Sequence, residues 1–346
     1  MSLAEHAIFL EPSSAGFLGD KLFDTSDRHL NRDGTLLPFA RLREYWAARG
    51  VPVHTADALR SGAVRARTNH YWSFGMLDGY GELRGQPDVR LRGFVLFEPP
   101  LVLPAMYARL PALSQDFEQI HIHNTVGDLY SLDGVDAAKL RQLFWPQPYD
   151  VEQEPFWSRT ERSDRFVIIS GNHNPKFRKP EYYSKRIEAV GALASVDAVD
   201  LYGRGWERWF SKQSAWWPYW WNIRAIRRSF RGSCNSKLEV LSRYRFSICF
   251  ENTPMRGYFT EKMFDCLYAG TVPIYLGAPD IEQLVPQETF VDARHCTDFR
   301  ALHRRLSAMP ATEWQDMREA GRAFLRGIGK RRYFDALMNI CEMPFG

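Results

Sequence analysis

Between Tyr244 and Leu276 the chain reads YRFSICFENTPMRGYFTEKMFDCLYAGTVPIYL. An apolar run closes in Glu251-Asn252, a loop with Pro254 and Gly257 follows, and a helix opens near Thr260-Glu261-Lys262, with Thr260 as a candidate N-cap. A helix N-terminus offers unpaired backbone N–H groups and the positive end of the dipole, a favourable place for phosphate. That end prefers acids, so Lys262 in the first turn makes electrostatic sense if an anion binds there. On spacing alone, the alternative that Lys262 points into water stays equally open.

Other residues offer chemistry less specifically. Glu98 follows the apolar run Gly93–Phe97 and precedes Pro99-Pro100, a position open to a cleft or to a turn cap. His121 and His123 would share one face of a strand, without a third ligand to complete a metal site. Gly203-Arg204-Gly205 lacks the third glycine of a dinucleotide fingerprint and reads as a turn. Glu251 reads as a structural partner within its own domain. The five cysteines are odd in number and include no CxxC pair, so neither a zinc ribbon nor a disulfide framework is indicated.

The elements that must position these residues alternate. In the first half, Ala7–Glu11, Val51–His54, Gly93–Phe97 and Gln119–His123 read as strands and Pro38–Arg49 as a helix. A Pro-rich, charged segment over 145–163 reads as a linker. Beyond it, strands at Phe166–Ile169, Val199–Tyr202, Phe246–Phe250 and Val272–Leu276 alternate with helices at Glu181–Ala194, Ser236–Tyr244 and Phe259–Ala269. Such alternation implies a parallel sheet covered by helices, with ligands beyond the carboxyl ends of the strands. The expected division is 1–155, 156–325 and a terminal segment 326–346 that packs back.

The 346 residues, 45% hydrophobic and 14% aromatic, suffice for two cores. A formal charge of +4 is too small to argue for nucleic acid. No apolar run reaches the length of a signal peptide or a spanning helix, which leads to the expectation of a cytoplasmic protein.

The FENTPMRGYFTEKMFDCLYAGTVPIYLG stretch resembles the signature of glycosyltransferase family 10, the α-1,3/1,4-fucosyltransferases, in the form of its soluble bacterial-type members. The ten-residue step from Asn252 to Lys262 matches, as does Lys237 upstream of the YRFSICF run. Ser170-Gly171-Asn172 after FVII, and Arg186 with Leu193, extend the likeness more weakly, as do FVLFEPP and FWPQP. The resemblance implies a GT-B fold, two Rossmann-like domains facing a central cleft, with the acceptor domain first and the donor domain second. It implies inverting transfer of L-fucose from GDP-fucose to a glycan hydroxyl, with no metal or other cofactor. By the same resemblance, Arg186 and Lys262 would neutralise the leaving diphosphate. Asn172, Lys237, Asn252, Tyr258, Thr260 and Glu261 would bind the donor, and Glu98 would be the general base. The loop HNPKFRKPEYYSK is longer than in many relatives, so Arg178 or Lys179 competes with Arg186 for the phosphate.

The segment Trp206–Arg231 departs from that pattern, with six tryptophans and six basic residues against one acid. It could be an insertion packed on the donor domain. It could also be a membrane-surface contact suited to a lipid-linked acceptor, or a platform for stacking sugars or bases. Trp216, Trp217, Trp220 and Trp221 are its candidate acceptor or membrane residues. Beside the transferase stand a transferase for another GDP-deoxysugar, a non-catalytic GDP-sugar binder, and a nucleic-acid binder built on this segment. The low overall charge disfavours the last.

Overall fold

The computed structural model describes residues 4–75, 79–175, 180–208, 210 and 216–343. The chain forms two compact units, one of Met1–Pro148 with Arg331–Gly346 and one of Tyr149–Lys330.

The first unit holds a parallel sheet in the order β2-β1-β3-β4-β5-β6. Its strands are β1 (His6–Glu11), β2 (Val53–Thr55), β3 (Thr68–Ser73), β4 (Val89–Val95), β5 (Gln119–Ile122) and β6 (Leu140–Gln142). Side chains alternate across a strand. Ala7 and Phe9 therefore enter the core beneath one face, with Tyr71, Phe94 and Ile120. Ile8 and Leu10 enter the other, with Trp72 and Val95. Leu337 and Ile340 of the helix Ala336–Ile340 belong to that second core, and Trp72 Nε1 donates to the Ile340 carbonyl at 3.1 Å.

The second unit holds a parallel sheet in the order β11-β10-β9-β7-β8. Its strands are β7 (Ser163–Ile169), β8 (Val199–Tyr202), β9 (Tyr244–Phe250), β10 (Val272–Leu276) and β11 (Val291–Asp292). Their apolar runs are buried on both faces, as a sheet covered by helices requires. From β7 the chain first adds β8 on one side, then returns to lay β9 on the other. The strand order therefore reverses between β7 and β9, and in open parallel sheets the crevice outside such a reversal is where ligands bind. Among the described residues no helix is long and apolar enough to cross a membrane.

Candidate donor-binding site

The loops after β7 and β9 meet at this reversal. The helix Tyr183–Ala194, which follows β7, carries Arg186 across to β9. Arg186 is 4% exposed; its Nε and Nη2 donate to the Phe250 carbonyl at 3.1 and 2.5 Å, and Nη2 also reaches Asn252 Oδ1 at 3.0 Å. The Asn252 amide then donates to the Tyr258 hydroxyl at 3.1 Å. Arg186 Nη1 has no hydrogen-bond partner among the described residues. Burial pulls the Arg186 pKa down from its ordinary value, against the opposing pull of Tyr183 and Glu251.

A second cluster surrounds Glu251, whose side chain has no solvent exposure. Its carboxylate accepts from Thr260 N and Oγ1, each at 2.9 Å, and from Lys262 Nζ at 2.8 Å. Thr260 holds the N-cap position of the helix Glu261–Ala269, but its side chain makes no cap bond because the hydroxyl is turned to Glu251 and Lys262. The N-cap side chain is thus not spent on capping this helix start. Lys262 neither points freely into water nor stands alone: Glu251 and Thr260 engage it, and its third N–H has no partner among the described residues.

The electrostatics tie the two clusters together. Burial tends to lower the Lys262 pKa, but Glu251 and then Glu261 outweigh it and hold the ammonium above its ordinary value, while the nearby Arg186 charge opposes them. Burial would raise Glu261, yet Lys262 and Lys237 hold its carboxyl down to about 2. Lys237 lies 2.7 Å from Asp265 and 3.7 Å from Glu261, so it serves the flank of the same helix.

Asn172 lies in the adjoining loop and joins the ends of β7 and β8. Its backbone N–H donates to the Arg204 carbonyl at 2.9 Å and its amide to Gly205 at 3.2 Å. Its buried Oδ1 has no partner among the described residues. Gly203 makes the close approach of these loops possible. At φ +135° it sits where L side chains rarely go, and a Cβ would lie 1.9 Å from the Ser170 carbonyl oxygen.

The structure thus brings Arg186, Asn252 and Tyr258 together, and Thr260, Glu261, Lys262 and Lys237 beside them. Arg178 and Lys179 lie outside the described residues. Glu98 belongs to the first unit, three residues beyond the end of β4, half-buried, with its carbonyl accepting from Tyr107 at 3.0 Å. His121 and His123 are buried; His123 Nε2 donates to the Phe97 carbonyl at 2.7 Å, and burial with the Arg141 charge takes His121 down to about 4. Among the described residues no group of three or more His, Cys, Asp or Glu is placed to hold a metal.

Sequence reasoning missed Asp265, the main partner of Lys237, and Asp280, which holds the Gly257 N–H at 3.0 Å. No local pattern marks either, since each partner arrives from a different element. In the Trp/Arg segment, Trp206 is buried with its Nε1 on the Ser170 carbonyl at 2.7 Å, and Trp216 and Trp220 pack against the core. Trp217 and Trp221 face outward, 72% and 77% exposed. Trp209 and residues 211–215 lie outside the described residues.

Comparison with known proteins places this stretch beside a family. Residues 175–317 match the family model described as glycosyltransferase family 10 (fucosyltransferase), C-terminal part. A fucosyltransferase-like protein of Arabidopsis thaliana is 41% identical over 175 residues, 49% of this chain and 28% of that protein. The alpha-(1,3)-fucosyltransferase FucT of Helicobacter pylori is 36% identical over 75 residues, 22% of this chain and 16% of that protein. Human alpha-(1,3)-fucosyltransferase 7 is 39% identical over 113 residues, 32% of this chain and 27% of that protein. The matched stretches span under a third of these relatives' length. In fold, the chain is similar to a crystal structure of an alpha1,3-fucosyltransferase, with a TM-score of 0.51 at 15% identity, covering 97% of this chain and 89% of that one. It is also similar to sucrose-phosphate synthase from Thermosynechococcus elongatus, with a TM-score of 0.59 at 13% identity and 96% of each chain covered. At such identities the likeness speaks for the fold, two Rossmann-like units of the GT-B class.

Proposed function

From a second unit in which residues 175–317 match the glycosyltransferase family 10 model, we propose that the chain is an inverting, metal-independent fucosyltransferase of that family. It moves L-fucose from GDP-fucose to a glycan hydroxyl, in α-1,3 linkage to N-acetylglucosamine or glucose. The observation that carries the reading is the pairing of Arg186 with an unspent Nη1 and Lys262 with an unspent N–H, beside an uncapped helix start at the sheet's reversal point.

The acceptor oxygen attacks fucose C1 from the face opposite GDP. As the new C–O bond forms, the bond from C1 to the β-phosphate oxygen breaks, and its electron pair leaves with GDP. Negative charge grows on the β-phosphate, where Arg186, Lys262 and the first-turn N–H groups stabilise it; removing one such donor costs about 100–1,000-fold in rate. The Glu98 carboxylate takes the acceptor's proton. Asn252 and Tyr258 bind the nucleotide diphosphate, and Glu261, charged at neutral pH, contacts the fucose hydroxyls. Glu251 holds the Lys262 ammonium aimed before donor arrives, so little reorganisation is left for the reaction.

Isothermal titration with GDP, GDP-fucose, GDP-mannose and UDP tests this, repeated on Lys262→Ala/Glu251→Gln, which removes the cation without stranding a carboxylate. The expected result is guanine-selective binding that the double variant loses, with GDP-fucose preferred over GDP-mannose. Equal binding of UDP, or no GDP binding by the unaltered chain, refutes the assignment.

A further inference from the structure

On the outer side of the second unit, the short helix Trp217–Trp221 lies against the helix Tyr183–Ala194. Four of the tryptophans in this segment divide by direction. Trp216 and Trp220 pack inward on the core, whereas Trp217 and Trp221 project outward with their ring centroids 5.7 Å apart and their planes tilted by 38°. This outward pair is held in place from below. Pro218 restricts the first turn, and the buried Tyr219 hydroxyl donates within reach of the Arg208 and Trp206 carbonyls at 2.6 and 3.2 Å. The Asn222 amide donates to the Pro218 carbonyl at 3.0 Å. Gly191 allows the two helices to come close, because a Cβ there would lie 2.1 Å from Asn222 Oδ1.

Between the indoles and the neighbouring helices runs a groove of about 640 Å³. Polar groups stand along its walls: Ser184, Glu188, Asn222 and Arg300. Among the described residues Glu188 forms an ion pair only with the exposed Lys185, at 2.7 Å. Arg300 spends Nε on the Ala192 carbonyl at 3.3 Å, and its terminal nitrogens have no partner among the described residues.

We propose that this groove is a carbohydrate-binding subsite for a neutral oligosaccharide of two or three pyranose units, separate from the donor site. A pyranose ring has an apolar face of C–H bonds and a rim of hydroxyls. Rigid indole faces match the first at low entropic cost. A carboxylate, an amide and a guanidinium match the second, since sugar hydroxyls both donate and accept. One acid and one base on the walls select for a ligand without net charge. An open groove of this volume still suits a discrete ligand, whereas a bilayer surface would meet the two indoles and leave the wall groups unused. The inference rests on this surface geometry and not on the donor assignment.

The test uses the full chain labelled with 5-fluorotryptophan. The ¹⁹F resonances of Trp217 and Trp221 are assigned by Trp217→Phe and Trp221→Phe, then followed on titration with lactose, N-acetyllactosamine, chitotriose and mannotriose. We expect both resonances to shift saturably with at least one saccharide. Trp217→Ala/Trp221→Ala should weaken that saccharide about tenfold to a hundredfold, the paired Phe variant should restore most of it, and GDP affinity should not change. Resonances that stay fixed with all four saccharides overturn the proposal. So do shifts produced only by vesicles of phosphatidylcholine with phosphatidylglycerol, which would make the face a membrane contact. A chain that binds saccharide here but not GDP would keep this subsite and refute the donor assignment alone.

Discussion

The Glu251–Lys262 pair lends itself to a double-mutant cycle. Glu251 is wholly buried and Lys262 is 23% exposed, with 2.8 Å between Oε2 and Nζ. Lys262→Met leaves a buried carboxylate supported only by the Thr260 N–H and hydroxyl. Breaking a buried pair from one side costs about 3–5 kcal/mol. The Thr260 donors survive and the lysine is partly solvated, so about 2–3 kcal/mol is the better figure here. Glu251→Gln keeps an acceptor for Thr260, and the ammonium can turn to water, for a loss of about 1–2 kcal/mol. The double variant removes both charges and should cost little more than Glu251→Gln alone, a coupling of about 1.5–3 kcal/mol. For a unit of this size each kcal/mol moves Tm by about 2–4 °C, so Lys262→Met should melt roughly 4–12 °C low in a ligand-free thermal scan at neutral pH. If the two single losses add to the double within about 0.5 kcal/mol, Glu251 does not hold Lys262 and the argument for a pre-aimed cation fails.

Three further outcomes are expected. Glu98→Gln should lower kcat about 100–10,000-fold with N-acetyllactosamine as acceptor while GDP affinity by calorimetry is unchanged; full activity would remove Glu98 from the mechanism. The Glu261 carboxyl is depressed from 4.5 to about 2, so the stability it contributes is present above about pH 4.5 and is lost as pH falls toward 2. The Tm gap between the unaltered chain and Glu261→Gln should therefore close over that window, and a gap independent of pH would contradict the charge environment described. Gly203→Ala must push a Cβ against the Ser170 carbonyl at a backbone angle hostile to L residues. It should cost at least about 1–3 kcal/mol, read as a lowered Tm, and an unchanged melt would mean that the loop simply moves aside.

Much of the second unit was legible because its strands are continuous apolar runs between turn residues. FVII, FSICF and VPIYL lie within β7, β9 and β10. Strand β3, TNHYWS, was not read as a strand, since its buried Asn69 and His70 break any apolar signature. Strands β6 and β11 are only three and two residues long, too short to carry a period. At the site, spacing alone left Lys262 open to an anion or to water alike, and the structure shows what holds its ammonium. Thr260 occupies the N-cap as expected, but Glu251 draws its hydroxyl away from the helix. That choice depends on how the 251–260 loop closes, which no local propensity encodes. The Trp/Arg segment shows the same limit: composition marked it as unusual, but only packing separates the inward tryptophans from the outward ones.

The first unit is completed by residues from 331 onward, after the whole of the second has been interposed. During synthesis β1 to β6 emerge before it, and one side of their sheet, packed on Leu42 and Trp46 of the helix Leu37–Ala47, stays incompletely covered until Leu337 and Ile340 arrive. At about 5–20 residues per second, that delay is on the order of 10–40 s. Meanwhile the uninterrupted second unit can finish folding. The nascent chain should therefore be most vulnerable to chaperone capture and aggregation through this first unit, and mutations that weaken the 336–340 helix should reduce yield during synthesis more than they reduce the stability of protein already made.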